Sequence, residues 1–146
     1  MIQGVVELAE KDAKDIMVPR TDVVFISTDM KSEELLDLIA ESGFSRFPVY
    51  EETIDNVIGI LYVKDLLRMM VKKAKFEIKD IVRKPYFIPD SKKINALFRD
   101  FRKKRVHIAV AVDEYGGVAG IICLEDILEE IVGEIQDEFD KVKASL

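Results

Sequence analysis

Two stretches of the chain, "VIGILYVKDLL" (Val57–Leu67) and "VAGIICLEDIL" (Val118–Leu128), share one design. In each, an apolar run with a single glycine is followed by a charged residue, an aspartate and further apolar residues, a pattern typical of a buried strand leading into a helix. The glycine and the aspartate of the first stretch recur 61 residues later in the second. This common spacing indicates an internal repeat.

The repeat extends upstream of both stretches. "RFPVY" (Arg46–Tyr50) aligns with "HIAVA" (His107–Ala111) at the same spacing. "KDIMVPRTDVVFI" near the start of the chain resembles "KDIVRKPYFI" in its middle. We therefore predict two successive repeats, residues 15–76 and 77–136.

Each repeat has the predicted element order βαββα. A short extended piece, Val23–Ser27 or Tyr86–Pro89, precedes an amphipathic helix, and two strands and a second helix follow. Ser32 and Ser91 are the expected N-caps of the first helices, because a serine side chain can accept from the N–H groups of a first turn. The predicted fold class is α/β in the α+β sense, with small mixed sheets half covered by helices. One such sheet leaves an apolar face uncovered, so the two repeats are expected to pack together.

Composition argues against several classes of protein. The chain has 146 residues and a formal net charge of −6, which disfavours binding to nucleic acid or to an anionic membrane surface. Cys123, the single cysteine, is expected to be a buried thiol in a reducing, cytosolic compartment. No apolar stretch approaches the roughly 20 residues of a membrane-spanning helix. With His107 as the only histidine, we predict no metal site, no catalytic residues and no enzyme activity.

Two interpretations of the repeated aspartates, Asp65 and Asp126, are open on these grounds. The first turn of a helix has free N–H groups and a partial positive charge, so a carboxylate there stabilises the helix by about 0.5–2 kcal/mol. In α/β proteins the same position lies where ligands collect, and a carboxylate there can accept both hydroxyls of a ribose. Helix capping and ligand binding both account for the pattern.

The doubled pattern "FPVYEETIDNVIGILYVKDLL" and "IAVAVDEYGGVAGIICLEDIL" resembles a tandem pair of cystathionine-β-synthase-type (CBS) domains, from about Met17 to Val132. More narrowly, "DIMVPRTDVV", "SRFPVY" and "LEDILEEIVGEIQDEFD" are similar to the cytoplasmic region of the CorC/HlyC (TlyC-like, hemolysin-related) transporter family. This resemblance implies a homodimer at the cytoplasmic face of the inner (plasma) membrane, within a magnesium and cobalt efflux protein. Residues 1–14 would end a linker helix from an N-terminal membrane domain, and 137–146 would be an acidic linker toward a C-terminal domain.

The resemblance also implies a binding site. CBS pairs have two clefts that bind adenine nucleotides, AMP or ATP, and the aspartate after the last strand of each repeat holds the ribose, a role that falls on Asp65 and Asp126. The other nucleotide-binding residues implied by position are Arg20, Thr21, Asp22, Phe47, Pro48, Val49, Tyr86, Arg105, His107, Ile108 and Ala109. The family pattern has serine or threonine three residues before the aspartate, where this chain has Tyr62 and Cys123. Because a thiol is a weak donor and tyrosine is much larger, the expected phosphate contact is weakened at both positions.

The sequence thus predicts a regulatory nucleotide-binding module, whose repeats or dimer rearrange on ligand binding and so bias the transport domain. The acidic run from Glu125 to Asp140 suggests Mg²⁺ bound together with the nucleotide, although most of its carboxylates fit a solvated helix face. The alternative is a constitutive dimerisation module whose clefts bind no nucleotide.

Overall fold

The structure, a computed structural model, describes residues 11–133. In chain order the elements are α1 (Ala13–Ile16), β1 (Val18–Pro19), a 3₁₀ turn (Arg20–Asp22), β2 (Ile26–Ser27), α2 (Ser32–Ser42), β3 (Arg46–Tyr50), β4 (Val57–Tyr62), α3 (Val63–Val71), α4 (Ile78–Ile81), β5 (Phe87–Pro89), α5 (Ile94–Lys104), β6 (Ile108–Val112), β7 (Val118–Cys123) and α6, which begins at residue 124 and is described through 133. The order βαββα is present twice, as β2-α2-β3-β4-α3 and β5-α5-β6-β7-α6, which confirms the predicted fold class. The predicted acidic linker, 137–146, and most of the predicted linker helix, 1–14, lie outside the described residues.

The chain divides into two compact units. The first unit, Asp22–Pro85, contains the sheet β2-β3-β4, in which β2 is parallel and β4 antiparallel to β3. The second unit combines the described residues 11–21 and 86–133 around the sheet β1-β7-β6-β5, in which β5 is parallel to β6. Each sheet therefore receives a segment from outside its own βαββα sequence: β1 in the second unit, and the residues after α4 in the first.

Each unit has its own apolar core. In the first unit the buried side chains that pack together as one cluster are Ile26, Leu35, Phe47, Val49, Leu61, Leu66 and Ile78. In the second unit the corresponding cluster contains Ala13, Ile88, Ile94, Leu97, Phe101, Ala109, Ala111, Ile122 and Ile127. These are the apolar positions of the repeated pattern, with one residue from each short helix, α1 or α4, added. Since each large buried side chain contributes about 1.5–3 kcal/mol, these two clusters are the main stabilising contacts of the units.

Gly59 and Gly120 allow a segment to approach each sheet closely. A Cβ on Gly59 would lie 2.9 Å from the Arg83 carbonyl oxygen, and a Cβ on Gly120 would overlap the Val18 carbonyl oxygen. Because both positions lack a side chain, Ile60 and Arg83 can exchange two backbone hydrogen bonds of 2.8 and 2.9 Å, and β1 can pair with β7. The glycine of the repeated motif is thus required by packing.

The alignment of the two repeats shifts by one residue at the third element. The turn between β6 and β7 is one residue shorter than the turn between β3 and β4, so "RFPVY" corresponds to "IAVAV" (Ile108–Val112) and the alignment with "HIAVA" was wrong. Cys123 is half-buried, not buried as predicted, because it is the last residue of β7, at the point where the strand gives way to α6.

The predicted N-caps Ser32 and Ser91 were also wrong. The residues that precede α2 and α5 in extended conformation are Lys31 and Lys93, and neither makes a side-chain cap. At α5 the first N–H group, that of Ile94, donates instead to a backbone carbonyl oxygen at residue 11, 3.0 Å away. A segment distant in sequence therefore accepts the first N–H group of this helix. A capping pattern read from neighbouring residues cannot reveal such a contact.

Candidate functional site

Asp65 is the third residue of α3, directly after β4. Both of its carboxylate oxygens accept from one guanidinium: Arg83 Nε donates to Oδ2 at 2.8 Å, and Arg83 Nη2 donates to Oδ1 at 3.0 Å. Arg68 Nη1 lies 3.6 Å from the same Oδ1. The hydrogen bonds from Arg83 hold the pKa of Asp65 below its usual value. Asp65 is therefore an ionised carboxylate that is already paired within its own unit.

Tyr62, the last residue of β4, supports Arg83 from the other side. The Arg83 guanidinium carbon lies 4.1 Å from the centre of the Tyr62 ring, and the Arg46 guanidinium and the Lys64 ammonium each lie 5.7 Å from it. Cations are attracted to the face of an aromatic ring by its quadrupole. The side chain that departs from the family's serine or threonine thus forms a platform that holds Arg83 against Asp65.

Asp126 has different surroundings. It is the third residue of α6, and its Oδ2 accepts the backbone N–H of Cys123 at 2.9 Å. This bond is one half of a capping box, so the capping interpretation holds for Asp126. Burial raises the pKa of Asp126, while the Cys123 N–H acts in the opposite direction. Within residues 11–133 no cation pairs with this carboxylate, and the hydrogen bond from Cys123 engages one of its two oxygens, Oδ2.

Asp65 is paired with an arginine and Asp126 is not, because different segments pack beside the glycine of each motif. Arg83 forms a backbone bridge with Ile60, and Val18 pairs in the same antiparallel sense with Ile121. Ile60 and Ile121 are equivalent at the 61-residue spacing. Val18 therefore occupies in the second unit the position that Arg83 occupies in the first.

Four other predicted site residues are exposed on the second unit. Arg20 and Thr21 lie in the 3₁₀ turn after β1, and Arg20 Nη1 donates to the Val118 carbonyl oxygen at 3.2 Å. Arg105 is the C-cap of α5, in left-handed conformation with φ of 54°. His107 is exposed directly before β6. The backbone at Arg105 thus has a local role in ending a helix, whatever its side chain binds.

Tyr86 belongs to a polar cluster with Lys92, which precedes α5, and Asp100, which lies on α5. Its hydroxyl donates to Asp100 Oδ2 at 2.9 Å and lies 3.4 Å from the Lys92 ammonium, which also pairs with Asp100. Burial raises the pKa of Tyr86, and the hydrogen bond to Asp100 acts in the same direction. The structure therefore engages Tyr86 with α5 and does not bring it into contact with Asp126.

The remaining predicted residues are Asp22, exposed at the end of the 3₁₀ turn, and five strand residues with buried side chains: Phe47, Pro48, Val49, Ile108 and Ala109. Phe47, Val49 and Ala109 belong to the two core clusters, and Pro48 and Ile108 are buried outside them. The resemblance predicts that these residues contact a ligand through their backbone groups. β2 begins alongside Val49, and β5 begins alongside Val110. The first residues of β3 and β6 therefore extend beyond the neighbouring strand, where their outer backbone edge is not used in that pairing.

Surface grooves lie elsewhere on each unit. In the first unit a groove of about 720 Å³ lies between the loop before α2, the β3–β4 turn and α4. A groove of about 380 Å³ occupies the corresponding place in the second unit. Because β3 and β4 are antiparallel, their turn and the end of β4 lie at opposite ends of the sheet, so the first groove is separate from Asp65. Among residues 11–133, no set of three or more His, Cys, Asp or Glu side chains is placed to hold a metal ion, and no helix is long and apolar enough to cross a membrane.

A family model for the CBS domain matches residues 13–72 and 78–133, which include both aspartate motifs and nearly all of the described structure. The chain belongs to the CBS domain family. This CBS pair is 47% identical, over 142 residues, to the magnesium and cobalt efflux protein CorC of Pasteurella multocida, with 97% of this chain and 47% of that protein covered. The CBS pair thus spans about half the length of the curated relative.

Solved structures extend the comparison. The CBS domain of a bacterial CNNM/CorC family Mg²⁺ transporter in complex with ATP is 40% identical to this CBS pair, with a TM-score of 0.84, covering 90% of this chain and 94% of that chain. A CBS-domain pair with bound AMP from Klebsiella pneumoniae is 29% identical, with a TM-score of 0.75, covering 84% and 99% of the two chains. The prediction of a tandem CBS pair of the CorC type is confirmed.

Sequence reasoning missed Arg83 in this CBS pair. The available signal lay in the recurrence of "KDIMV" as "KDIVR", which aligns Arg83 with Val18. A charged residue at a position that is apolar in the other copy marks a difference between the repeats. The repeat alignment could not show that Arg83 pairs with Asp65, because the two residues lie 18 positions apart along the chain.

Proposed function

We propose that this CBS pair is an adenine-nucleotide sensor of a CorC-type membrane transporter for divalent cations, magnesium or cobalt, and lies on the cytoplasmic side of the membrane. AMP or ATP binding would favour one arrangement of the repeats, or of a homodimer, over another and so bias the transport domain. The names of the curated relatives and the ATP and AMP complexes of similar CBS structures support this proposal.

The observation that carries the proposal is the environment of Asp126. This half-buried carboxylate lies in the first turn of α6, where the helix dipole attracts anions, and one oxygen has no partner among the described side chains. A ribose presents two hydroxyl donors that match a carboxylate. The strand residue Ile108 pairs with Cys123, whose N–H binds Asp126, so a backbone edge able to recognise an adenine base lies close to the proposed ribose ligand.

Phosphate groups would be bound by other side chains of the second unit. Cys123 is a weak donor. Arg20, together with the Thr21 hydroxyl, is the candidate phosphate ligand that the family resemblance implies. The Arg20 guanidinium donates to Val118, at the opposite end of β7 from Cys123, so it would have to leave that carbonyl group to reach a nucleotide bound at Asp126. Mg²⁺ enters this proposal as the counter-ion of the ATP phosphates, with which it usually binds.

Calorimetric titration with AMP, ADP and ATP, with and without Mg²⁺, tests the proposal on the wild type and on Asp126→Ala. We expect binding that Asp126→Ala abolishes while the thermal midpoint of the unliganded protein shows that it still folds. Glu129→Ala, which removes an exposed carboxylate of the same helix, is the matched control and should bind like the wild type. Absence of binding to the folded wild type would reject the sensor.

A second candidate function is a constitutive dimerisation module. α3 and α6 expose apolar residues at equivalent positions, with Leu67 53% and Val71 82% exposed on α3, and Leu128 42% and Val132 59% exposed on α6. Repeated exposed apolar positions on helices favour an interface, here with a second copy of the chain. Both functions predict the dimer, and only the sensor predicts nucleotide binding.

A further inference from the structure

We propose that Arg83 closes the Asp65 site, so that in the wild-type chain only Asp126 accepts a nucleotide ribose. This inference rests on the proposed nucleotide binding and adds to it a reason why one site would be open and the other closed. The Arg83 side chain would occupy the Asp65 site in place of a ribose.

Arg83 binds the edge of the Asp65 carboxylate that a ribose would also bind. A guanidinium and a ribose each present two adjacent donors to the two oxygens of a carboxylate, and so compete for the same edge. Arg83 uses that edge fully, with hydrogen bonds of 2.8 and 3.0 Å, and its ring contact with Tyr62 holds it in place. A ribose at Asp65 would have to displace both contacts.

Backbone hydrogen bonds hold Arg83 beside Asp65. Arg83 is fixed beside β4 by its two hydrogen bonds with Ile60, so its side chain starts from a defined position near the end of that strand. The absence of a side chain at Gly59 permits this approach. The closing residue is therefore part of the docked segment and not of a free surface loop.

The second unit supplies the comparison. Val18 has the backbone position equivalent to that of Arg83, beside Ile121, and valine has no donor to offer Asp126. Among residues 11–133, the partner of the Asp126 carboxylate is the Cys123 N–H, which donates to Oδ2. Two sites built on one plan thus differ at the docked position, arginine in the first and valine in the second, and this side chain decides whether the carboxylate is occupied.

Exchange of the two side chains tests the inference, with ATP and AMP as the probes and calorimetric stoichiometry as the readout. The wild type is expected to bind one nucleotide per chain and Arg83→Val to bind two. Val18→Arg should weaken the Asp126 site by about tenfold, equivalent to about 1.4 kcal/mol, because the new guanidinium would compete with the ribose for the carboxylate. Arg83→Gln, which keeps most of the side-chain length without the charge, should also show the second site if the valine variant does not fold.

Arg68→Ala is the matched control, because Arg68 approaches the same carboxylate at 3.6 Å without the two-fold hydrogen bonding, and it should leave one site. Two nucleotides bound per wild-type chain would overturn the closure of Asp65. So would a single Asp126-dependent site that is the same in the wild type, Arg83→Val and Arg83→Gln. Neither result would contradict the proposed sensor function. Loss of nucleotide binding in folded Arg83→Val would also overturn the closure of Asp65, by making Arg83 a ligand. Absence of binding in every folded variant would reject the proposed function itself.

Discussion

At the scale of single residues, two aspartates at the same position of one motif have opposite electrostatic surroundings. Asp65 is paired with Arg83, which lowers its pKa, whereas burial raises the pKa of Asp126. A carboxyl group with a lowered folded-state pKa stabilises the fold above its unfolded pKa, near 3.9, and that contribution is lost as the pH falls through the folded value. A carboxyl group with a raised pKa has the reverse effect and opposes folding once the pH exceeds its unfolded pKa.

We therefore expect opposite outcomes for two matched substitutions. Asp65→Asn should lower the free energy of unfolding at pH 7 by about 0.5–1 kcal/mol, the range for an ion pair whose arginine is 44% exposed, and the loss should shrink below about pH 4. Asp126→Asn should leave stability at pH 7 unchanged or higher, because an amide oxygen can still accept the Cys123 N–H. Denaturant unfolding at pH 3, 5 and 7 measures both, and equal losses in the two variants at pH 7 would contradict the assignment.

At the scale of elements, each sheet is completed by a segment from elsewhere in the chain. β1 pairs with β7, and the segment after α4 bridges to β4 through Arg83. Both contacts form where the motif glycine removes a side chain from the strand. The glycine therefore allows a segment to lie close beside each strand, and in the first unit that segment contributes Arg83, which pairs with Asp65.

Alanine at the motif glycines should destabilise the fold. We expect Gly59→Ala and Gly120→Ala each to lower the free energy of unfolding by about 1–3 kcal/mol, the usual cost of overpacking. Gly120→Ala should be the more severe, because its Cβ meets the Val18 carbonyl oxygen of the backbone, whereas the nearest atom to a Cβ at Gly59 is a side-chain methyl group.

The control for this pair is Gly133→Ala, where a Cβ meets nothing within 4 Å. Its free energy of unfolding should be unchanged or higher by up to about 1 kcal/mol, because alanine favours helix over glycine. Chemical denaturation of the three variants gives the comparison. A loss at Gly133 as large as that at Gly120 would show that alanine is harmful for a reason other than close approach.

At the scale of the whole molecule, the exposed apolar residues of α3 and α6 imply a partner surface. They recur at equivalent positions of the two repeats, so a contact made through both helices would use matched surfaces. In C2 dimers the same surface patch serves both subunits. We therefore propose that the CBS pair forms a homodimer through these helices.

Charged residues on these helices should therefore dissociate the dimer. We expect Leu67→Glu with Leu128→Glu to shift the protein from dimer to monomer in sedimentation or light scattering, with little effect on the fold because both side chains are about half exposed. Glu34→Lys, a charge change on an exposed residue of α2, is the control and should leave the dimer intact. A wild type that is monomeric at high concentration would disprove the dimer, and a double variant that stays dimeric would place its interface elsewhere.

The repeated pattern of apolar residues, glycine and aspartate determined the fold class, the two copies and the positions of Asp65 and Asp126, because these depend on local periodicity and on spacing along the chain. The register of β6 was missed, since a turn one residue shorter leaves the apolar pattern almost unchanged. Only the tertiary structure decided which aspartate is occupied. The pairing of Arg83 with Asp65 and the docking of Val18 beside β7 join residues far apart in sequence, and they form only after each strand, with its glycine, is in place.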